Sequence, residues 1–280
     1  MNKLIITADD FGMSPAVNDA IIQCIAAGIV TSTNVMTNMA YYRDATSLKN
    51  SGASLGIHWT LSCGKPVLPR NEIPSLVSND GIFFSYSEFR NRFRKNMIAK
   101  EDIRKELTAQ YQRYVDVLGL PEYWNTHQNV HVDFRIYQLF VKIAQELSIH
   151  KMRSHQRIYV PGRTTSGKRS LIWRIAEPAK ARLLTAWQNH AREIGITAPD
   201  GRIVYLSKKD VNDIEYMASH IQWKDNKIAE LVIHPATCYD SEYFGNIVDQ
   251  RLDEFRIFSR PETRQEIEKN AIELTNFCNL

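Results

Sequence analysis

The alternation of apolar, β-branched strands with amphipathic helices is the feature that most limits how this chain can fold. Residues 3–8 are apolar and lack a 3.6-residue period, which is typical of a strand buried on both faces of a parallel sheet. A helix is predicted over 14–28, with Ser14 as its N-cap and Pro15 in its first position. A second strand is predicted over 32–37, so these two strands should lie parallel and be joined by a right-handed crossover.

The same alternation continues along the chain and predicts one domain. Further strands are predicted over 54–61, 124–127, 150–154, 202–206 and 230–235, and further helices over 101–118, 136–147 and 260–274. Residues 62–96 are predicted to form a long functional loop, because prolines and an Asn-Asp-Gly turn interrupt them. No repeat, low-complexity tract or linker divides the chain, so we expect residues 1–280 to form a single domain. The predicted fold class is α/β, a (β/α) barrel-like architecture that is closed, distorted or incomplete, with an open doubly wound sheet as the alternative.

Composition excludes several classes of protein. The chain is 44% hydrophobic and 24% charged, as in ordinary soluble domains, and no apolar run approaches the ~20 residues of a membrane helix. The apolar stretch near the start is too short for a secretory leader, and four scattered cysteines without a Cys-x-x-Cys motif suit a reducing compartment. A net charge of +4 with no dense basic stripe argues against nucleic acid, and the basic segment 162–195 resembles an amphipathic helix with a solvated face. We therefore expect a cytoplasmic protein that binds neither nucleic acid nor membrane.

Polar side chains collect where the predicted strands end. Asp9 and Asp10 follow the first strand, and His58, His127 and His234 lie at the ends of three others. Because the carboxyl ends of parallel strands open onto one face, these side chains should converge. Taken singly, each has a simpler explanation, since aspartates before a helix often only form a turn and a lone strand histidine usually makes a core hydrogen bond. Together, imidazole and carboxylate donors indicate an open site for a divalent catalytic metal, with one aspartate on the metal and its neighbour transferring a proton.

A pair of histidines four residues apart leaves two alternatives. On a helix, His127 and His131 would share a face and could bind one ion together. The segment follows a predicted strand and need not be helical, in which case only one of them is a ligand.

Several short blocks, in order along the chain, resemble one known family. They are TADDFGMS at 7–14, GIVTST at 28–33, GIHWTLSCGKP at 56–66, THQNVH at 126–131, Met152-Arg153, and VIHPA at 232–236. In this order they resemble the YdjC-type carbohydrate deacetylases, whose characterised members deacetylate chitooligosaccharides. The resemblance covers most of the chain, although nothing in 162–195 matches.

The resemblance implies a metal-dependent hydrolase that removes N-acetyl groups from an acetylated amino sugar or oligosaccharide. Metal-activated water would be the nucleophile, and the divalent cation would be Mg²⁺ or Zn²⁺. Asp10, His58 and His127 match the family's metal ligands. The resemblance also implies a homodimer.

The same comparison of motifs implies three catalytic roles. Asp9 matches the carboxylate that acts as general base, and Arg153 lies where the family has an arginine that could pair with it. His234 matches the general acid that protonates the leaving amine, and the ordinary pKa of histidine, ~6.5, suits this role near neutral pH.

Substrate contacts are expected from the long loop, from the THQNVH block at 126–131 and from aromatic residues near the mouth of the site. Trp59, His131 and Asn129 are the predicted sugar-binding residues, and the family often has further histidines where this chain has Gln128-Asn129. Phe83, Phe84 and Tyr86 are additional aromatic candidates, with ordinary packing as the alternative explanation for each.

Two other functions compete with deacetylation. A glycoside hydrolase would need two carboxylates about 5 to 9.5 Å apart and no metal. A non-catalytic sugar- or metal-binding protein would leave Asp9, Arg153 and His234 without a joint role. Release of acetate, and its sensitivity to a chelator, distinguishes these alternatives.

Overall fold

The computed structural model describes residues 1–133, 135–162, 171–205, 213–223 and 227–280. The strands in these residues are β1 Asn2–Phe11, β2 Ser32–Val35, β3 Ser54–Trp59, β4 Trp124–Thr126, β5 Arg157–Val160, β6 Gly201–Tyr205, β7 Ile228–Ile233 and β8 Ile272–Thr275. The α-helices are α1 Pro15–Ala26, α2 Tyr86–Arg94, α3 Lys100–Leu118, α4 Tyr137–Glu146, α5 Leu171–Glu193, α6 Ile214–His220, α7 Val248–Phe258 and α8 Pro261–Glu268. None of the described helices combines the length and apolarity needed to cross a membrane.

The strands form one parallel sheet centred on β1. The strand order is β4-β3-β2-β1-β7-β6-β5, and β8 pairs with the first residues of β1. β7 pairs along one edge of β1. The other edge is shared by two strands, because β8 pairs with the start of β1 and β2 pairs with its end. Isolated bridges from Met152 to Trp124 and from Lys151 to Thr197 span the gap between the two ends of the sheet. The predicted (β/α) barrel-like fold is therefore confirmed, with closure that is incomplete rather than regular.

The first strand and helix form for the reasons that the sequence suggests. Residues 4–11 of β1 are all buried, as expected of a strand covered on both faces. Ser14 caps α1 by accepting a hydrogen bond from the backbone N–H of Val17 at 3.3 Å, and Pro15 occupies the first helical turn.

Three predicted segments differ from the structure. The terminal helix predicted over 260–274 is confirmed only for Pro261–Glu268, because the last six of these positions belong to a turn and to β8. The loop predicted over 62–96 contains α2, and the strand predicted over 150–154 is only a pair of bridges, with regular pairing delayed to β5. Positions 163–170 of the basic segment and Leu206 of the predicted strand 202–206 lie outside the described residues. Short apolar runs do not distinguish helix from strand, and pairing with the distant β1 decides the outcome for β8.

Gly56 on β3 leaves space for the stacked rings of Tyr123 and Phe277. The Tyr123 ring stacks on Phe277 with centroids 3.7 Å apart, and its hydroxyl oxygen accepts a hydrogen bond from Oγ of Ser32 at 2.8 Å. A Cβ added at Gly56 would lie 2.5 Å from the Tyr123 ring, closer than any real contact. The absence of a side chain at Gly56 therefore lets β3 and the aromatic pair approach.

We expect Gly56→Ala to lower the free energy of unfolding by about 1–3 kcal/mol, because overpacking displaces the Tyr123 ring. Urea denaturation measures this change. Tyr123→Leu removes the clashing ring atoms, so adding Gly56→Ala to that variant should cost much less than in the parent. Equal losses in both backgrounds would contradict the packing argument.

Candidate metal centre and active site

The predicted catalytic and metal-binding side chains come together at the carboxyl ends of the strands. They are Asp9 and Asp10 on β1, His58 on β3, His127 directly after β4, Arg153 next to the bridge at Met152, and His234 directly after β7. This is the face where parallel α/β folds bind ligands.

A bulge near the end of β1 turns both aspartates into the same site. The register of β1 against β2 shifts between Ala8 and Phe11, and Asp10 has a positive φ of 74°. In a regular strand, successive side chains would point to opposite faces, and the bulge changes this direction. A left-handed conformation at a non-glycine residue costs of order 1–3 kcal/mol, and such strain collects at functional sites. The two carboxylates consequently share one site but have different partners.

Asp10, His58 and His127 form a group that fits a divalent cation. Oδ1 of Asp10 lies 3.3 Å from Nε2 of His58 and 2.9 Å from Nδ1 of His127, and one donor atom from each residue lies within 4.8 Å of the others. Metal–ligand bonds of about 2.0–2.1 Å imply ligand–ligand separations of about 2.9–3.4 Å in octahedral or tetrahedral sites. Both separations from Asp10 fall within this range, and the three side chains are buried. The donor set therefore fits a cation by both chemistry and spacing.

The protonation states of Asp10 and His127 are set by the charges they exert on each other and by Arg251. Burial alone would raise the pKa of Asp10, but His127 and Arg251 outweigh burial and hold it well below its usual range. Burial alone would lower the pKa of His127, and the Asp10 carboxylate overcomes this and raises it to about 9. Asp10 and His127 are thus an ion pair near neutral pH.

Arg251 on α7 is a partner of Asp10 that the sequence patterns did not indicate. Its Nη2 lies 2.5 Å from Oδ2 of Asp10, on the carboxylate oxygen that the histidines leave free. The guanidinium is 2% exposed and lies over the Phe244 ring at 4.8 Å. Arg251 therefore fixes the orientation in which Asp10 presents Oδ1 to His58 and His127.

Asp9 is held by a separate set of donors. Arg153 binds it in a bidentate manner, with both Nη–O distances at 2.7 Å, and Nδ2 of Asn34 donates to Oδ1 at 2.7 Å. Nε of Arg153 donates to the buried Glu230 at 3.0 Å, so the guanidinium bridges two carboxylates. Burial alone would raise the pKa of Asp9, but the charge and hydrogen bonds of Arg153 outweigh it and hold that pKa far below its usual range. Asp9 is therefore ionised at neutral pH.

His234 lies on the other side of Asp9 and is partly open to solvent. Its Nε2 is 3.8 Å from Oδ2 of Asp9, and 28% of its side chain is exposed. Its backbone N–H donates to the buried Glu254 at 2.6 Å, and Nδ1 is buried without a partner among the described residues. Burial lowers the pKa of His234 to about 4, although Asp9 and Asp10 act in the opposite direction. His234 is therefore neutral near pH 7 in the free protein.

A cavity of about 230 Å³ opens directly over these groups. Its wall includes both aspartates, three of the histidines, Thr126, Gln128, Asn129, Arg251 and the segment 243–247. The cavity is the space in which a substrate could reach the aspartates and His234 together.

The three residues predicted to bind sugar are placed differently from one another. Asn129 lines the cavity and accepts a hydrogen bond from Arg202 at 3.2 Å. Trp59 is fully buried, donates to the carbonyl of Leu107 and packs on Trp124, so it does not reach the cavity.

His131 also points into the core rather than into the cavity. Gln128 and Asn129 both have positive φ, so the segment is not an α-helix and His127 and His131 do not share a face. Nδ1 of His131 is hydrogen-bonded to Oγ1 of Thr126 at 2.6 Å, and the ring packs on Trp124 and His155. Burial holds its pKa well below its usual range. Of the two alternatives for the histidine pair, only His127 is positioned as a ligand.

The aromatic candidates of the long loop make ordinary contacts. Phe83 is buried, Phe84 stacks under the guanidinium of Arg92 at 4.0 Å, and Tyr86 lies near Arg90. None of these three rings lines the cavity over the aspartates.

Sequence reasoning missed the supporting polar residues of the site. Besides Arg251, these are Asn34, Asn125 and Glu230, which contact Asp9, His58 and Arg153 respectively. Asn125 shares its strand end with His127, so its position two residues earlier was the available signal. A buried arginine on a distant helix carries no local signal at all.

Comparison with known proteins agrees with the motifs. The model of the YdjC-like protein family matches residues 3–269. A carbohydrate deacetylase of Brevibacillus brevis is 26% identical over 283 residues, covering 99% of this chain and 99% of that protein. A chitooligosaccharide deacetylase of Proteus mirabilis is 25% identical over 282 residues, covering 99% of this chain and 98% of that protein.

A solved structure extends the comparison to the fold. An Enterococcus faecalis protein, to which cellobiose-phosphate cleavage has been ascribed, superposes with a TM-score of 0.78 at 24% identity, covering 100% of this chain and 99% of that one. The shared fold and the family match together confirm the resemblance that the sequence motifs indicated. On this evidence, the chain belongs to the YdjC-like family.

Proposed function

We propose that this protein is a divalent-metal-dependent carbohydrate deacetylase, and that residues 1–280 form its single catalytic domain. The observation that carries the proposal is the position of the ionised Asp9 beside the Asp10–His58–His127 group, with His234 across the same cavity. The names of the full-length relatives support the reaction class.

Asp10, His58 and His127 would hold the cation. When bound, a divalent cation makes water more acidic and polarises a carbonyl group. Two imidazoles and one carboxylate suit Zn²⁺ and other transition metals better than Mg²⁺ by ligand type.

Asp9 would accept the proton of the attacking water. Arg153 and Asn34 keep Asp9 charged and fix both of its oxygens, which also weakens it as a base. Such a base is effective only toward a water of increased acidity, which explains why it lies beside a cation site.

His234 would deliver a proton to the leaving amine nitrogen. Because its pKa of about 4 leaves it neutral near pH 7, it must first receive a proton at Nε2. Asp9 and Asp10 favour the protonated imidazole, and the 3.8 Å between Nε2 and Asp9 needs to shorten by about 1 Å for a hydrogen bond. The proton removed by Asp9 can then pass through His234 to the amine.

The substrate is proposed to be an N-acetylated amino sugar or short oligosaccharide, with Asn129 in contact with it from the cavity wall. The homodimer and the cytoplasmic location stay predictions from the sequence.

A glycoside hydrolase is the less favoured function. Such enzymes need one carboxylic acid that stays protonated near neutral pH. Asp9 and Asp10 are both bound by buried arginines and both have lowered pKa values, so neither meets this requirement. A binding protein without activity would not need the partly exposed His234 beside Asp9.

We expect acetate release from a panel of N-acetylated sugars to stop when a chelator removes the cation. Asp9→Asn should reduce turnover by about 10²- to 10⁴-fold while metal binding persists, because only the base is lost. His58→Ala should lose both metal and activity, and His150→Ala, at an exposed histidine, should lose neither. Full metal content and full activity in His58→Ala would refute the assignment.

Cation affinity should increase with pH between about 6 and 8. His127 has a pKa of about 9 beside Asp10, and a metal binds only its neutral form, so binding must release this proton. We expect the apparent Kd for Zn²⁺ to fall by about tenfold per pH unit in this range. Titration calorimetry in two buffers of different ionisation enthalpy measures the released proton, and a pH-independent Kd would contradict the pairing.

Arg251→Met should destabilise the metal-free protein by about 3 kcal/mol, because it removes the buried partner of Asp10. Saturating Zn²⁺ should recover part of this loss, since the cation replaces the missing positive charge. Arg256→Met, at an exposed position of α7, is the matched control and should change stability by less than about 0.5 kcal/mol. Thermal unfolding with and without Zn²⁺ tests both variants, and equal losses in the two conditions would argue against the role of Arg251.

A further inference from the structure

We propose that the side-chain amide of Asn125 reverses when a cation binds, and so couples the Asp10–His58–His127 group to the donors that hold Asp9. Asn125 is in this view a positioning residue. The inference rests on the proposed cation site and adds a link between that site and the base.

Asn125 lies between the two groups. It is fully buried on β4 and is the register partner of His58 on β3, so the two side chains are on the same face of the sheet. One end of its amide is 2.5 Å from Nδ1 of His58. The other end lies 2.8 Å from Nδ2 of Asn34 and 2.9 and 3.0 Å from the two Nη atoms of Arg153. Both of those residues also donate to Asp9.

Hydrogen-bond accounting favours one arrangement of these groups. When the amide nitrogen of Asn125 faces His58, it donates to Nδ1, and its oxygen accepts from Asn34 and Arg153. His58 then carries its proton on Nε2, where Asp10 lies 3.3 Å away as an acceptor. In this arrangement each end of the Asn125 amide faces a complementary partner, which is the rule for buried polar groups.

A cation on Nε2 of His58 requires the opposite arrangement. The imidazole proton must move to Nδ1, and Nδ1–H needs an oxygen as its acceptor. Asn125 can supply that oxygen only by turning its amide. Its nitrogen then faces the donors of Arg153 and Asn34, which lose this acceptor and retain Asp9 at 2.7 Å.

Two consequences follow from the reversal. The donors of Arg153 and Asn34 are directed to Asp9 when the cation is present, so the base is most firmly held in the loaded enzyme. The contact between the Asn125 nitrogen and these donors is unfavourable, so the wild-type site binds its cation less tightly than its ligands alone would allow.

The direct test is the tautomer of His58 in the wild-type protein. ¹⁵N-edited NMR of the imidazole rings, recorded during a Zn²⁺ titration, distinguishes a proton on Nε2 from one on Nδ1. We expect the Nε2–H tautomer before Zn²⁺ and the Nδ1–H tautomer after it. An Nδ1–H tautomer in both conditions would overturn the inference.

Asn125→Asp provides a second, independent test. A carboxylate accepts from His58 and from Arg153 at once, so it needs no reversal, and outer partners of this kind change metal affinity by about 10- to 100-fold. We expect Zn²⁺ to bind at least about tenfold more tightly while turnover falls, because the new carboxylate competes with Asp9 for Arg153. Asn246→Asp, elsewhere on the cavity wall, adds the same charge without this contact and is the matched control.

Opposite changes in affinity and turnover are not expected from a merely structural role for Asn125. Weaker Zn²⁺ binding in Asn125→Asp, or a gain equal to that of Asn246→Asp, would overturn the inference. If the wild-type protein binds no divalent cation, the proposed function itself fails. If it binds Zn²⁺ without a change of tautomer, only the coupling fails.

Discussion

The structure depends on compensating two adjacent carboxylates that are buried at the end of β1. Asp9 and Asp10 are 4% and 1% exposed, and an unpaired charge at such a position would cost several kcal/mol. Each is paired with its own buried arginine, Arg153 from beyond β4 and Arg251 from α7. The fold must therefore bring distant segments to β1 before either aspartate can be ionised at low cost, and the site exists only in the assembled barrel.

The two pairs differ in a way that suits two chemical roles. Arg153 contacts both oxygens of Asp9, so this carboxylate has a fixed charge and orientation. Arg251 contacts one oxygen of Asp10 and leaves the other to His58 and His127, which can exchange a proton for a cation. Adjacent positions in the sequence thus acquire unlike environments through the bulge between them.

The sequence predicts where the site lies better than it predicts which buried residues surround and orient it. Parallel strands and polar residues at their ends suffice to bring Asp9, Asp10, His58, His127 and His234 together, because this follows from the topology alone. The burial of Trp59 and His131 could not be read from their motifs, since it depends on packing with Trp124 and on the left-handed turn after His127. Similarly, β8 resembles the end of a helix in its local pattern and becomes a strand because β1 offers an unpaired edge.

The pairing of β1 has a consequence for biosynthesis. β1 precedes the other described strands in the sequence but pairs with β7 at positions 228–233 and with β8 at positions 272–275, so two of its three neighbours are translated long after it, whereas β2 follows soon. Until then its apolar residues have an open edge that could associate with other chains, which is a known hazard for sheets with long sequence separations. Completion of the sheet, and with it the burial of the aspartates, must wait until β8 at positions 272–275 has been translated. We expect nascent chains of this protein to depend on chaperones that shield such edges.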